Sequence, residues 1–329
     1  MTPSSVAKIF NSAFTGSLVA DAVAMPVHWY YDTAALDRDY GAITGYQKPR
    51  NPHSGSILWR SSYVPVNERG DILREQAIYW GQRGVHYHQF LAAGENTLNF
   101  QLARELYRWV VARGGYEPNA WLDHYIKCML TPGWHRDTYV EEYHRAFFTN
   151  YARGTAPDRC GISDIHIGGL AQIPALCAGL MASGMTGEEA MVDTVATHVG
   201  LTHRHERVID AGKTLARLLY KVSEGWELDR ALESVCQGWI SITMFMKLMH
   251  QPDRVVVGRV FSPACYIDDA FPAALYLAWR HQQDFSAAVC ANAMAGGDNC
   301  HRGAVVGSLL GAIRGVGQDW LSGGGFNTT

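Results

Sequence analysis

No stretch of this sequence is apolar for long enough to cross a bilayer. The best candidate, Ala304 to Ile313, is flanked by Arg302 and Arg314 and falls short of the roughly 20 residues a membrane helix needs. The opening residues, MTPSSVAKIFNSAF, lack the apolar core of a signal peptide. Charge is sparse as well: 28 Lys and Arg stand against 31 Asp and Glu, a net charge of -3, with no basic stripe. That leaves no electrostatic footprint for nucleic acid. The seven cysteines are odd in number and form no CxxC pair, which argues against a zinc ribbon and for reduced thiols. No Pro/Ser-rich linker or charge run divides the 329 residues, so they read as one domain. These absences predict a cytoplasmic protein with neither nucleic acid nor membrane as partner.

What is present is helical periodicity. Leu98, Leu102, Leu106 and Trp109 recur three and four apart, as do Val208, Ala211, Leu215 and Leu218. Further helices are expected over 4–24, 117–130, 137–152, 167–183, 187–200, 228–248, 269–281, 284–295 and 300–315. Pro174 should kink its helix or sit in the first turn. Gly114, Gly184 and Gly200 fall where helices should end. Without a series of alternating strands, the class is all-α, a bundle of about ten helices. One segment breaks the pattern. From about 40 to 70 the chain is rich in Gly, Pro, Asn and Ser yet carries Tyr46, Trp59 and Tyr63, which suits an ordered flap over a site.

The run AGGDNCHRGAVVGSLLGAIRG, Ala295 to Gly315, combines two kinds of signal. Gly303, Gly307, Gly311 and Gly315 share one helical face and allow another helix close approach. Ahead of them, Asp298 and Asn299 stand where a helix N-cap is expected, followed by Cys300 and His301. Three other segments concentrate polar groups in apolar surroundings. Asp21 and His28 lie in SLVADAVAMPVHWYYD, and Asp21 is expected to cap a neighbouring helix. Glu95 and Asn96 occupy a helix start. Asp164 and His166 precede Gly168 and Gly169, where a ligand could reach the backbone. His203 follows in THVGLTHRHE; its five-residue separation from His198 does not suit a zinc pair on one helix face.

In this order the segments resemble the ADP-ribosylglycohydrolase family, which includes enzymes that remove ADP-ribose from proteins and a related jellyfish crystallin. The matching pieces are Ala20 to His28, Gly94 to Thr97, Thr202-His203 and Gly296 to His301. The resemblance implies a compact all-α bundle whose helix starts gather at one cleft. It also implies two magnesium ions, held in the family by acids and hydroxyls of the second and last motifs, with a Glu of the first motif near the scissile bond. At those positions this chain carries Gly94, Glu95 and Asn96, then Asp298, Cys300 and His301, and finally His28. Cys, His and Asn are poor ligands for magnesium, so different chemistry is expected. Asp298 and Glu95 are what remains to hold a metal, and Cys300, His301 and His28 would suit a softer ion such as zinc.

The expected catalytic set is therefore Glu95, Asp298, Cys300, His301 and His28. Cys300 would be a thiol activated at a helix N-terminus and Glu95 a general acid or base. Asn96, His166, Gly168, Gly169 and His203 would bind substrate. The expected function is hydrolysis of a small polar substrate at an N-glycosidic or ADP-ribosyl-type bond. A non-catalytic, crystallin-like binding protein is the alternative, and an ordinary magnesium-dependent ADP-ribosyl-protein hydrolase the third reading.

Overall fold

The glycine face at the C-terminal end meets its partner in the first helix. Gly16 and Ala20 pack directly against Gly303, Gly307 and Gly311; a Cβ at Gly16 would overlap the Gly307 carbonyl oxygen, and one at Gly311 would overlap that of Ser12. Only backbones without side chains can approach this closely. The two helices form the centre of the bundle.

The computed structural model describes residues 3–324. In chain order its helices are α1 (Pro3–Ala24), α2 (Thr33–Tyr40), α3 (Leu98–Arg113), α4 (Pro118–Leu130), α5 (Glu142–Ala152), α6 (Ile173–Ala182), α7 (Glu188–Gly200), α8 (Glu206–Ser223), α9 (Leu228–Val235), α10 (Ile242–Leu248), the single turn α11 (Asp253–Val255), α12 (Ile267–Arg280), α13 (Phe285–Met294), α14 (Asn299–Arg314) and α15 (Gln318–Gly324). Among the described residues there is no strand, only isolated bridges such as His166 with Tyr266. The all-α class holds. Around α1 and α14 lie α6, α8, α12 and α13, whose inward faces are almost wholly apolar.

Several boundaries differ from the periodicity for local reasons. The helix expected over 228–248 is two, because the chain turns at Cys236 and restarts where Ser241 Oγ accepts the Met244 N–H at 3.2 Å. The helix expected from 137 begins at Glu142, since residues 137–141 serve the site described below. Pro174 sits in the first turn of α6, after a short 3-10 turn at Ile167–Leu170. Gly114 ends α3 in the left-handed region, with φ 68°. The helix-poor segment runs further than 40–70: from 41 to 97 there are only three 3-10 turns. Its aromatic residues are tied down. Tyr46 packs on Trp320, Tyr63 on Trp80, and Trp59 lies under the guanidinium groups of Arg60 and Arg83.

Two carboxylates fix the start of α3. Asp21, projecting from α1, accepts the Thr97 N–H at 2.9 Å, the Thr97 hydroxyl at 2.8 Å and the Asn96 amide at 2.9 Å. Asp137 Oδ2 accepts the Leu98 N–H at 2.5 Å. Acids at a helix N-terminus satisfy free N–H groups and complement the dipole. Asp21 is thus a cap, as its place in an apolar helix suggested. Burial nevertheless pushes its pKa up to about 6, against the pull of these hydrogen bonds.

Candidate active site

At the start of α14, Asp298 stands in the N-cap position but makes no capping bond. Its carboxylate is turned instead toward two histidines. Oδ1 accepts from His28 Nε2 at 2.9 Å and from His301 Nδ1 at 2.7 Å. Oδ2 is buried and has no hydrogen-bond partner. Burial alone would favour the neutral acid, but His301 and His28 hold Asp298 well below the usual carboxylate range.

His28 continues the network inward. Its Nδ1 lies 2.8 Å from His88 Nε2, and His88 Nδ1 lies 2.7 Å from Asp137 Oδ1. Three contacts therefore join two carboxylates through two imidazoles. Each contact needs one hydrogen, and two neutral rings carry only two. With both acids ionised, the His28–His88 pair holds one extra proton. Burial, together with the neighbouring His88 and His301, pushes His28 down to about 3 despite Asp298. His28 donates its Nε2–H to Asp298.

His301 is held differently. Burial opposes its charge, yet Asp298 and Glu141 keep its pKa well above the ordinary imidazole value. Glu141 Oε1 is 3.3 Å from Nε2, and Asn99 Nδ2 is 2.6 Å away. The same Asn99 nitrogen donates to Glu141 Oε1 at 3.3 Å. Tyr143 and His144 surround the other end of that amide, at 2.7 and 2.8 Å.

Asp298 and His301 face a pocket of about 160 Å³. Its walls include Trp29, Tyr31, Tyr87, Tyr139 and Tyr143, with Glu141 and Glu142 at the polar side. Among the described residues, no Lys or Arg lines it. Ile57, from the expected flap, completes one wall. Trp29 stacks on the His28 ring, centroids 3.8 Å apart, and its backbone has φ 60°. That conformation is costly for a bulky residue. It is held by reciprocal backbone bonds: Trp29 N–H to Gly297 O at 2.9 Å and Gly297 N–H to Tyr30 O at 2.8 Å.

The structure thus brings together His28, Asp298, His301, His166 and Gly168, and separates the others. Glu95 is turned to a second, polar depression, where both its oxygens meet Arg136, at 2.5 and 2.6 Å. Asn96 spends its amide on Asp21 and the Leu18 carbonyl. Cys300 points behind the site, its Sγ 3.8 Å from the Asp21 carbonyl, and burial pushes its thiol well above the ordinary value. The expected helix-start activation is overcome by desolvation. Gly169 packs under His203 and Val208, and His203 is buried against the Tyr143 ring, 4.3 Å between centroids. Neither lines the pocket.

A magnesium pair does not fit these residues. Magnesium requires oxygen ligands in octahedral array, whereas the cluster at hand offers one carboxylate and two imidazoles, His28, Asp298 and His301. Cys300 does not join them, and Glu95 is engaged by Arg136.

Sequence reading missed His88, Asp137, Asn99, Trp29, Glu141 and Tyr143. The clustered aromatic and polar residues HYH at 86–88 and WHRD at 134–137 were a usable signal, since a buried acid and imidazole in adjacent loops tend to pair.

Fold and site define an all-α protein whose helix starts converge on a buried carboxylate between imidazoles. A sequence model of the ADP-ribosylglycohydrolase family matches residues 3–323, and the chain belongs to that family. Among solved structures it is similar to an "ADP-ribosylglycohydrolase-related protein complex", at 19% identity and TM-score 0.60, covering 97% of this chain and 93% of the other. None of the curated proteins matches the sequence. The family supports a hydrolase-like function in general.

Proposed function

We propose that this protein hydrolyses an N-glycosidic or ribosyl-type bond of a small polar molecule, without a magnesium pair. The observation that carries this reading is Asp298: an ionised carboxylate, 1% exposed, with Oδ2 unpartnered at an aromatic-lined pocket. Cleavage of a glycosidic bond develops positive charge on the sugar ring. A buried anion beside aromatic faces stabilises such a cation without reorganising at the moment of reaction. Protonated His301 is the available acid for a departing base, and Glu141, whose Oε2 lacks a hydrogen-bond partner, is placed to orient water. With no Lys or Arg on its walls, the pocket favours an uncharged or cationic substrate over a diphosphate.

The test is a turnover screen of nucleosides and other N-ribosides, run on chelator-treated and untreated protein with metal analysis alongside. Turnover that survives EDTA and disappears in Asp298→Asn supports the proposal. Two bound magnesium ions per chain, or activity restored only by magnesium, would overturn it. Ligand-induced thermal stabilisation without turnover would favour the non-catalytic alternative.

A further inference from the structure

A second group of donor atoms lies between α3 and α4, and none of its residues lines the pocket beside Asp298. His124 and Cys128 are four apart on α4, which places both on one helical face. Glu105 reaches them from α3. Its Oε1 lies 2.8 Å from His124 Nε2. A Glu105 carboxylate oxygen, a His124 ring nitrogen and the Cys128 sulfur all lie within 4.8 Å of one another. Arg108 approaches the same acid only to 4.0 Å, from Nη1 to Oε2, too far for a hydrogen bond. The rings of Trp109 and Trp121 flank His124, with centroids 6.2 and 5.7 Å away. Glu105 and His124 are each about a quarter exposed, whereas Cys128 is buried. An ion can therefore enter from solvent and seat against the sulfur.

We propose that Glu105, His124 and Cys128 bind a single zinc-class ion that clamps α3 to α4. Thiolate, imidazole and carboxylate are each ordinary zinc ligands, and three protein ligands with water in the fourth position complete a tetrahedron. The sulfur excludes magnesium and calcium, which require oxygen. Ligand atoms around one tetrahedral zinc ion stand roughly 3.3–3.6 Å apart. Atoms already within 4.8 Å reach that spacing by small side-chain rotations, and the contact between Glu105 and His124 opens slightly as the ion inserts. An ion pair would account for Glu105 and His124 alone. The sulfur within reach of both is what makes the group a metal site.

The charges close. As sulfur bonds to the ion, the thiol proton leaves to solvent, and a divalent cation, a thiolate and a carboxylate sum to zero. Without the ion, burial and the Glu105 carboxylate push the Cys128 thiol up to about 12. The acid that disfavours a bare thiolate there helps to hold a metal-bound one. The clamp would also steady the pocket. α3 carries Asn99 in its first turn, against His301, and Glu105 follows within about two turns. The metal site does not rest on the hydrolase reading.

Cobalt(II) tests the assignment on the full chain, stripped with EDTA and returned to chelator-free buffer. Cobalt substitutes for zinc in such sites and reports a bound thiolate by a charge-transfer band in the near ultraviolet. The wild-type protein should show that band, saturating with a single ion per chain, and added zinc should abolish it by displacement. The band should be lost in Cys128→Ser. Apparent affinity should fall ~10-fold or more in His124→Ala and in Glu105→Gln. Zinc should raise the Tm of the wild-type protein but not of His124→Ala. Cobalt held only by His28, Asp298 and His301 would give no thiolate band and would overturn the proposal. So would a band that survives in Cys128→Ser, or no cobalt bound at all. If Cys128→Ser fails to fold, the partly exposed His124 decides: band and affinity unchanged in His124→Ala refute the site. A negative turnover screen leaves the cobalt band untouched, so failure of the hydrolase reading is distinguishable from failure of the metal assignment.

Discussion

His28 donates its Nε2–H to Asp298 across 2.9 Å, and both side chains are sealed from solvent. The segment that follows α1 and the start of α14 are therefore joined by a charge-assisted hydrogen bond. Asp298→Asn should keep the helical fold, because the amide oxygen can still accept from His28. It should nevertheless reduce turnover by about 100-fold or more by removing the anion. Circular dichroism and turnover, measured together, check both halves. The pH dependence has a definite sign. Asp298 titrates below its ordinary 3.8 when folded, so its contribution is present above that value and is lost as pH falls. The Asn variant should lack this part of the acid transition.

Asp21 acts in the opposite direction. Its folded pKa of about 6 lies above the ordinary 3.8. The folded state holds its proton longer than the unfolded chain does, so stability falls as pH rises from about 4 to 6. The full difference corresponds to about 3 kcal/mol. Asp21→Asn should flatten the urea midpoint over that interval, at the cost of a weaker cap on α3. A midpoint that still drops between pH 4 and 6 would show that another group is responsible.

The glycines of α14 should differ in their tolerance of a methyl group. A Cβ at Gly307 would overlap the Gly16 carbonyl oxygen, whereas one at Gly303 would lie 3.2 Å from the Ala20 Cβ. Gly307→Ala should destabilise by about 3 kcal/mol or more, since backbone must move, and Gly303→Ala by about 1 kcal/mol. Chemical denaturation of the two variants gives the comparison.

Cys300 should behave as a core residue. In the native protein it should resist iodoacetamide and label only on unfolding. Cys300→Ala should cost about 1 kcal/mol of stability and leave turnover within about twofold. A loss of turnover with unchanged stability would return the thiol to the chemistry.

The all-α class and the glycine seam were legible from sequence. Apolar periodicity and small-residue spacing are local signals that tertiary packing here reinforces. The site was less legible because it depends on which way side chains turn. Glu95 follows a helix-start pattern, but Arg136 draws it to another surface. Cys300 follows Asp298 by two residues, and that helical offset rotates its thiol away from the pocket into the core. Asp298 breaks the capping rule for its position, and such local violations gather at functional sites.

The seam between α1 and α14 also has a consequence for biosynthesis. The central helix α1 is translated well before its partner α14. Until α14 has left the ribosome, the Gly16 face of α1 lacks its partner, and neither Asp298 nor His301 exists to meet His28. Nascent chains must therefore hold an incomplete centre until α14 is made, a long exposure to aggregation. Folding and assembly of the candidate catalytic machinery then become one late event, which makes the chain a natural client for chaperones that shield unfinished cores.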